Sequence, residues 1–292
     1  MKAIIFLECK DGSPVSASLE LFSAAAAVGA EAVPVTVAAP EGFLYEDAVT
    51  EAVSAKAKAE DAALVLLAAT PVGKLVAPRI AARLGAGSVN DALSVGAEGG
   101  KFTAVRPVFG GTVRETVDFC TDKAVISVRG GSYDAPADVP AAEELTADLS
   151  GGVYAKVAEA IEEAGAAVNL EDAKVIVTGG RGMGNEENFK LCEELAEVLG
   201  GVVGATRPAI ENGWVGRTHQ VGQSGKIVAP DLYIACGVSG ATQHVSGMMG
   251  SKYIIAINKD ENAPIFSIAD VGIVGDAKQI LPLMIEEFKK RK

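Results

Sequence analysis

Histidine is scarce in this chain, which has only two, His219 and His244, among 292 residues. A histidine-rich zinc site is therefore not available. Cysteine is almost as rare, and no C-x-x-C pair occurs. The spacing of the four cysteines favours reduced thiols in the core of a cytosolic protein over a metal or redox role. They are Cys9, Cys120, Cys192 and Cys236.

Long apolar runs and an excess of positive charge are also missing. No run is long enough to cross a bilayer, and the N-terminus, MKAIIFLECK, is typical of a first strand and not of a signal peptide. Asp and Glu number 38 against 26 Lys and Arg, for a net charge of -12. An acidic surface argues against nucleic acid and anionic membranes as partners. We expect a cytoplasmic protein without membrane insertion.

What is present is a hydrophobic fraction of 49%, in a chain long enough for two domains with their own cores. In the first half, apolar β-branched runs alternate with Ala-rich helical patterns. Strands are predicted at residues 3–7, 33–38, 63–68, 102–108, 111–117 and 124–128. Helices are predicted at 16–28, 46–59 and 75–84, although Pro78 weakens the last. This order predicts a mostly parallel sheet with additional pairing near its edge.

From residue 132 onward the sequence is turn-rich and then acidic, and segment 133–172 is the predicted linker. It separates an N-terminal domain, 1–165, from a C-terminal domain, 170–292. In the second half, strands are predicted at 174–178, 202–205, 232–236 and 253–257, with helices at 185–199 and 279–290. The predicted fold class is α/β, with an N-terminal mostly parallel sheet domain and a C-terminal doubly wound parallel sheet domain.

The first chemical motif is GGRGMG at 179–184, between a predicted strand and helix. This context is typical of a phosphate-binding turn. The dinucleotide spacing G-x-G-x-x-G would need glycine where Asn185 stands, and the acidic residue expected about 20 positions later is missing. A turn required only by packing is the simpler alternative, but Arg181 inside it favours an anion site.

Two further small-residue loops, GQSGK at 222–226 and GVSGATQH at 237–244, bracket an apolar strand. The first is not a Walker A loop, because Gln220 replaces the required glycine. Ser224 lacks a G-x-S-x-G setting, which argues against a hydrolase nucleophile. His244 shares its loop with ligand-binding residue types, whereas His219 is expected to be a solvated loop residue.

Residues near strand ends complete the candidate site. Arg207 lies at the end of a predicted strand, where ligands of open α/β sheets bind. Asn258 and Asp276 occupy strand-end and turn positions, and either of them also suits a simple turn cap.

The second half resembles the flavin-binding domain of the electron-transfer flavoprotein α subunit. The resemblance rests on GGRG at 179–182, ENFKL at 187–191, GATRPAIENG at 204–213 and QVGQSGKIVAPDLYIACGVSGATQH at 220–244. It continues through AINKD at 256–260, APIF at 263–266 and VGIVGD at 271–276. Weaker matches, RPVFGG at 106–111 and ISVRGGSY at 126–133, extend it to the first half.

This resemblance implies an electron carrier that binds FAD and pairs with a β subunit. Acyl-CoA dehydrogenase-like flavoproteins would be its partners, and an NADH-using, electron-bifurcating subtype is compatible with the sequence. In this reading, Arg207 and His244 tune the flavin potential, Ser224 hydrogen-bonds flavin N5, and Arg181 serves the pyrophosphate side. The implied FAD-binding residues are Arg181, Thr206, Arg207, Val221, Gly222, Gln223, Ser224, Ser239, Gly240, Ala241, Thr242, Gln243, His244, Asn258 and Asp276.

The chain departs from the family pattern at residues 215–219, which read VGRTH where many members carry a Pro-Asn-Asp segment. The family also usually has serine and threonine where Thr206 and Ser224 stand, and both exchanges keep the hydroxyl. Two alternatives remain open at this point: a pyridine-nucleotide-dependent oxidoreductase and a non-catalytic nucleotide-binding sensor.

Overall fold

The structure is a computed structural model that describes residues 1–157 and 169–291. The chain divides into two compact units, Met1–Glu163 and Ala164–Lys292. This division falls within the predicted linker, while the predicted domain limit at 165 lies outside the described residues. No helix in the described ranges is long and apolar enough to cross a membrane.

The first unit is built on a six-stranded parallel sheet with the order β11-β4-β1-β5-β10-β6. Its strands are β1 Lys2–Phe6, β4 Glu31–Ala38, β5 Leu64–Ala68, β6 Gly87–Ala92, β10 Ala124–Val128 and β11 Glu143–Thr146. Two-residue strands β2 Cys9–Lys10 and β3 Ser13–Pro14 form a hairpin. The helices are α1 Ser16–Leu19, α2 Leu21–Ala27, α3 Tyr45–Ala59 and α4 Pro71–Leu84. The central strands β1 and β5 are buried on both faces, as continuous apolar runs in a parallel sheet require.

The helices of this unit differ from their predicted bounds for local reasons. The helix predicted at 16–28 is two helices that meet at Glu20. The helix predicted at 75–84 begins earlier, at Pro71, because Thr70 caps it by accepting a hydrogen bond from the Gly73 N–H. Pro78 lies inside this helix without ending it.

The extra strands predicted near the edge of the parallel sheet lie elsewhere. The strands β7 Ser94–Glu98, β8 Lys101–Val108 and β9 Val113–Asp118 form a separate antiparallel sheet. The third predicted strand, β10, lies inside the parallel sheet between β5 and β6. The prediction of edge pairing was therefore wrong, because sequence periodicity does not show which sheet a strand joins.

The predicted linker contains a strand that completes the first sheet. β11 pairs in parallel with β4, and Glu143 forms an ion pair of 2.7 Å with Lys56. This four-residue edge strand has one partly buried apolar residue, Leu145, so its sequence carries little strand signal. Cys9 and Cys120 are exposed and only Cys192 and Cys236 are buried, so the prediction of core thiols was wrong for two of the four.

The second unit is a five-stranded parallel sheet with the order β13-β12-β14-β15-β16. Its strands are β12 Val175–Gly179, β13 Val202–Ala205, β14 Leu232–Cys236, β15 Ile254–Asn258 and β16 Val271–Val274. Its helices are α5 Glu186–Leu199, α6 Arg207–Glu211, α7 Thr242–Val245 and α8 Ala277–Arg291. Helices α5 and α8 pack on one face of the sheet. The predicted α/β class with two parallel sheets is confirmed.

Candidate functional site

A cavity of about 850 Å³ lies in the second unit, where its strands end. Residues that follow β12, β13, β14 and β15 line it. The chain passes from β12 to β13 on one side and then to β14 on the other, so the cavity lies at the point where the strand order reverses. Ligands of doubly wound sheets bind at this point, and the volume suits a cofactor.

Glycines let two loops of the cavity wall approach backbone to backbone. The Gly182 N–H donates to the Gly237 carbonyl at 3.0 Å. A Cβ atom at Gly180 would lie 2.4 Å from the same carbonyl oxygen, and one at Gly182 would lie 2.7 Å from it. Any side chain at these positions would force the loops apart, so packing alone requires glycine at both positions of the GGRGMG turn.

A similar contact joins the two loops that bracket β14. The Gln223 N–H donates to the Gln243 carbonyl at 2.7 Å. Gly222 has φ +142°, and a Cβ atom there would lie 2.9 Å from the same oxygen. The two sequence motifs therefore form one continuous wall.

The structure brings together nearly all of the predicted site residues. Those that line the cavity are Arg181, Thr206, Arg207, Val221, Gly222, Gln223, Ser224, Ser239, Ala241, Gln243, His244, Asn258 and Asp276. Gly240 and Thr242 do not line it. Gly240 has φ +87°, and a Cβ atom there would lie 2.3 Å from the Ile265 nitrogen, so its requirement is structural.

Thr206 places an unsatisfied hydroxyl at the cavity. Its Oγ1 is buried and has no hydrogen-bond partner among the described residues. Burying a hydroxyl without a partner costs about 1–3 kcal/mol. A ligand that hydrogen-bonds this oxygen would remove that cost.

Two exposed arginines line the cavity, and they differ in whether they form an ion pair. Arg181 is exposed and forms no ion pair within the described ranges, so its guanidinium is open to an anionic ligand. Arg207 is exposed as well, and its Nε donates to Glu211 at 2.7 Å within the short helix α6. An exposed pair of this kind contributes little stability, so Arg207 can exchange Glu211 for a ligand at low cost.

The Ser224 hydroxyl can accept one hydrogen bond and donate another, and only the accepted one is made within the protein. The buried Gln220 side chain donates from Nε2 to Ser224 Oγ at 3.0 Å. The serine hydroxyl then keeps its own hydrogen for another acceptor. The sequence does not indicate this role of Gln220, because its position in the loop shows only that the Walker A glycine is absent.

His244 is buried, with 7% of its surface exposed, and both ring nitrogens have protein partners. Nδ1 lies 3.0 Å from the Val221 carbonyl oxygen, and Nε2 lies 3.0 Å from the Tyr233 hydroxyl. Burial lowers the pKa of His244 to about 4, although the Val221 carbonyl acts in the opposite direction. The ring is therefore neutral at pH 7. In this arrangement it presents no spare proton to a ligand.

Asn258 and Asp276 also make the turn contacts that their positions allow. Asn258 Nδ2 donates to the Val238 carbonyl at 2.8 Å, and its Oδ1 accepts from the Asp260 N–H at 3.0 Å. Asp276 Oδ1 accepts from the Lys278 N–H at 3.0 Å, at the start of α8. Lys259, beside Asn258, lines the cavity and was missed, although the AINKD motif contains it.

Outside the cavity, His219 Nδ1 donates to the Val203 carbonyl at 2.8 Å. It is not a purely solvated loop residue, because this contact fixes the short 3₁₀ turn Arg217–His219 against β13.

Both halves of the chain match electron-transfer flavoprotein families. Residues 11–150 match the family described as "Electron transfer flavoprotein domain", and residues 169–249 match "Electron transfer flavoprotein FAD-binding domain". The electron transfer flavoprotein subunit alpha of Thermoanaerobacterium thermosaccharolyticum is 44% identical over 250 residues, which cover 83% of this chain and 76% of that protein. The subunit alpha of Mycobacterium leprae is 38% identical over an alignment that covers 100% of this chain and 99% of that protein.

The chain belongs to the electron transfer flavoprotein α-subunit family. Protein FixB of Clostridium saccharobutylicum is a further relative, 43% identical over 84% of this chain and 75% of its own length. The cofactor of the family, FAD, is therefore the cofactor of this chain.

The cavity fits such a cofactor on its own chemistry. FAD carries a negatively charged pyrophosphate, which suits Arg181 and the glycine-flanked backbone. Its hydroxyls and ring heteroatoms suit the unsatisfied Thr206 oxygen and the available Ser224 hydrogen. The second unit of this chain thus has polar groups, Thr206 and Ser224, whose hydrogen-bonding capacity is not fully used among the described residues.

Proposed function

We propose that this chain is the α subunit of a heterodimeric electron-transfer flavoprotein, which binds one FAD in its second unit and pairs with a β subunit. It would shuttle electrons between dehydrogenases and acceptors and would not act as a stand-alone enzyme. Family membership supports this proposal, and the observation that carries it is the cavity at the strand-order reversal with its unsatisfied Thr206 hydroxyl.

The residue roles that the family resemblance implies are part of this proposal, and the positions of the side chains are compatible with them. Bound FAD would supply a ring system that accepts and releases electrons. Arg207 would turn from Glu211 to place its charge at the ring, and the Ser224 hydroxyl would donate its free hydrogen to a ring nitrogen. Arg181 and the amides of Ser224 and of residues 239–243 would hold the pyrophosphate side. His244 would contribute a buried neutral imidazole.

The first unit is proposed to supply the subunit interface. At the carboxyl ends of β1 and β5, its polar groups satisfy each other, because the Thr70 hydroxyl donates to Glu8 while its oxygen caps α4. Phe109, in the turn between β8 and β9, is 83% exposed, and Val113, in β9, is 48% exposed. Exposed apolar side chains of this size suit a protein partner better than a small ligand.

Two finer assignments are part of the proposal. Acyl-CoA dehydrogenase-like flavoproteins are proposed as electron-exchange partners, in the cytoplasm. The altered segment 215–219, which contains the 3₁₀ turn Arg217–His219, is compatible with the NADH-using bifurcating subtype. Rapid reduction of the purified heterodimer by NADH would support that subtype, and reduction only by an acyl-CoA dehydrogenase would favour the simple carrier.

The experiment that tests the function is co-purification of the chain with its β subunit. We expect yellow protein with flavin absorbance and about one FAD released per α chain on denaturation. Release of NAD(P) together with NADH turnover by the isolated chain would instead favour a pyridine-nucleotide oxidoreductase. Release of AMP or ATP would favour a nucleotide sensor, and colourless protein that cannot be reconstituted with FAD would reject the proposal.

A further inference from the structure

Tyr233 is a fully buried tyrosine and the second residue of β14. Its hydroxyl lies 3.0 Å from Nε2 of His244, which itself lines the cavity. Buried tyrosine hydroxyls need a hydrogen-bond partner, and this one has found an imidazole. Neither the apolar pattern of β14 nor the family resemblance assigns Tyr233 a role.

The partner of the other ring nitrogen fixes the direction of this hydrogen bond. The Val221 carbonyl, 3.0 Å from Nδ1, can only accept, so Nδ1 carries the proton of the neutral ring. Nε2 is then an unprotonated acceptor. Tyr233 must therefore donate its hydroxyl hydrogen to Nε2, and the ring is held at both ends.

We propose that Tyr233 is a positioning residue of the cofactor site, whose hydroxyl holds Nε2 of His244 and so fixes the orientation and the Nδ1–H tautomer of the imidazole. The imidazole is already oriented before a ligand binds, so binding does not have to include the entropy cost of ordering this side chain. The hydrogen bond between Tyr233 and His244 is a feature of the chain itself, whereas its importance for FAD binding rests on the proposed function.

Thr178 is a second polar neighbour of the Tyr233 hydroxyl. Its Oγ1 is buried and makes no hydrogen bond of regular geometry among the described residues, but its proximity acts to lower the pKa of Tyr233, against the larger effect of burial. The 3.0 Å contact with Nε2 of His244 is therefore the regular hydrogen bond of the tyrosine hydroxyl.

The titratable surroundings are simple. Burial is the main cause that lowers the pKa of His244, and the Val221 carbonyl is the group that opposes it. Cys236 is the titratable neighbour of Tyr233, and its thiol stays protonated because Cys192 and burial raise its pKa. Tyr233 also stays protonated, since burial raises its pKa far above the usual range.

The test uses the full chain labelled with ¹⁵N-histidine, whose spectrum contains only two imidazoles because the chain has two histidines. His219 is an internal reference, with the same Nδ1-to-carbonyl contact and no tyrosine among its described partners. We expect His244 to be neutral and Nδ1-protonated at pH 7. In Tyr233→Phe its Nε2 resonance should move to higher frequency, because the nitrogen loses its donor, while the His219 resonances stay in place.

Two controls separate the hydrogen bond from packing. Tyr253→Phe removes the hydroxyl of a tyrosine that is 45% exposed and should leave both histidines unchanged. Thr178→Val changes the neighbouring buried position but keeps the tyrosine hydroxyl, so Nε2 should stay at its wild-type frequency. An unmoved Nε2 in Tyr233→Phe, or an equal shift in Thr178→Val, would overturn the proposal.

The consequence for the cofactor is measured with FAD itself. Tyr233→Phe should raise the Kd for FAD by about 3- to 10-fold, the effect of losing one pre-organising hydrogen bond, while Tyr253→Phe should not. Equal affinity in Tyr233→Phe and wild type would also overturn the proposal. If the wild-type chain and its heterodimer fail to bind FAD, the proposed function fails, and the NMR comparison still decides the role of Tyr233.

Discussion

The two units of this chain use the same layered architecture but treat the polar groups at their strand ends in opposite ways. In the first unit, the Thr70 hydroxyl donates to Glu8 and accepts from Gly73, so its hydrogen-bonding capacity is used within the protein. In the second, a threonine that also follows a strand, Thr206, is buried without a partner among the described residues. The local side chains therefore decide whether a polar group at a strand end is satisfied within the protein.

The largest expected difference between the units is their response to pH. His244 has a pKa of about 4 in the folded chain against 6.5 when unfolded, so between these values the unfolded state binds more protons. The free energy of unfolding of the second unit should therefore fall as pH decreases from 6.5 to 4, by up to about 3 kcal/mol. In the first unit, burial raises the pKa of Glu20, and the sign reverses: that contribution is present at low pH and is lost as pH rises.

Amide hydrogen exchange at several pH values measures this contrast, because it reports the opening free energy of each unit separately. His244→Asn should remove the pH dependence assigned to the second unit, and His219→Asn should keep it. Equal slopes in both variants would contradict the assignment to His244.

Gly180→Val should have the next largest effect. The added side chain would meet the Gly237 carbonyl, where even a Cβ atom is only 2.4 Å away. Overpacking of this kind costs about 2 kcal/mol, so the Kd for FAD should rise on the order of 30-fold. Isothermal titration with FAD measures it. Gly216→Val is the matched control, since its nearest neighbour would be 3.8 Å away, and wild-type affinity in both variants would contradict the predicted close approach.

Thr206→Val should weaken FAD binding by about 1 kcal/mol without lowering the free energy of unfolding of the cofactor-free chain. The cofactor-free chain should become as stable as wild type or more stable, because an unsatisfied hydroxyl is removed, while FAD binds several-fold more weakly. Thr70→Val should do the reverse, lowering the free energy of unfolding by about 1 kcal/mol through loss of the helix cap and leaving FAD affinity unchanged. Thermal unfolding with and without FAD tests both, and a Thr206→Val chain that loses stability would show that its hydroxyl is satisfied.

Arg207→Ala should give the smallest effect, a lower flavin midpoint potential. Loss of an exposed cation is worth about 0.5–1 kcal/mol, or roughly 20–40 mV for a one-electron step. Spectroelectrochemical titration measures the shift. Arg217→Ala makes the same change of charge outside the cavity lining and should leave the potential unchanged; an equal shift in both would indicate a general charge effect.

The sequence predicted the second unit better than the first, and the reason is local. Its glycines are needed where two loops approach backbone to backbone, so the glycine motifs at 179–184 and 237–244 indicate from sequence alone where these close contacts lie. The strand β11 has no such local signal, since a four-residue edge strand is defined by its pairing with β4. Likewise, the pattern of β8 and β9 indicates strands but not the sheet that they join.

At the site itself, thirteen of the fifteen predicted residues line the cavity, whereas the roles of Gln220 and Tyr233 were not predicted. Tyr233 is one apolar-pattern residue of a buried strand, and only tertiary contact shows that its hydroxyl reaches His244. Gln220 is hidden in the same way, because its partner Ser224 is near in sequence but its burial is not evident from composition.

The edge strand β11 also bears on how the protein is made. Every described element of the first sheet, including Glu143–Thr146, precedes the second unit in the chain. At about 5–20 residues per second, synthesis of the remaining residues takes on the order of ten seconds, longer than most domains need to fold. The first unit can therefore be complete on the ribosome before the second emerges. Until residue 146 has left the exit tunnel, the outer edge of β4 is open to pairing with other nascent chains.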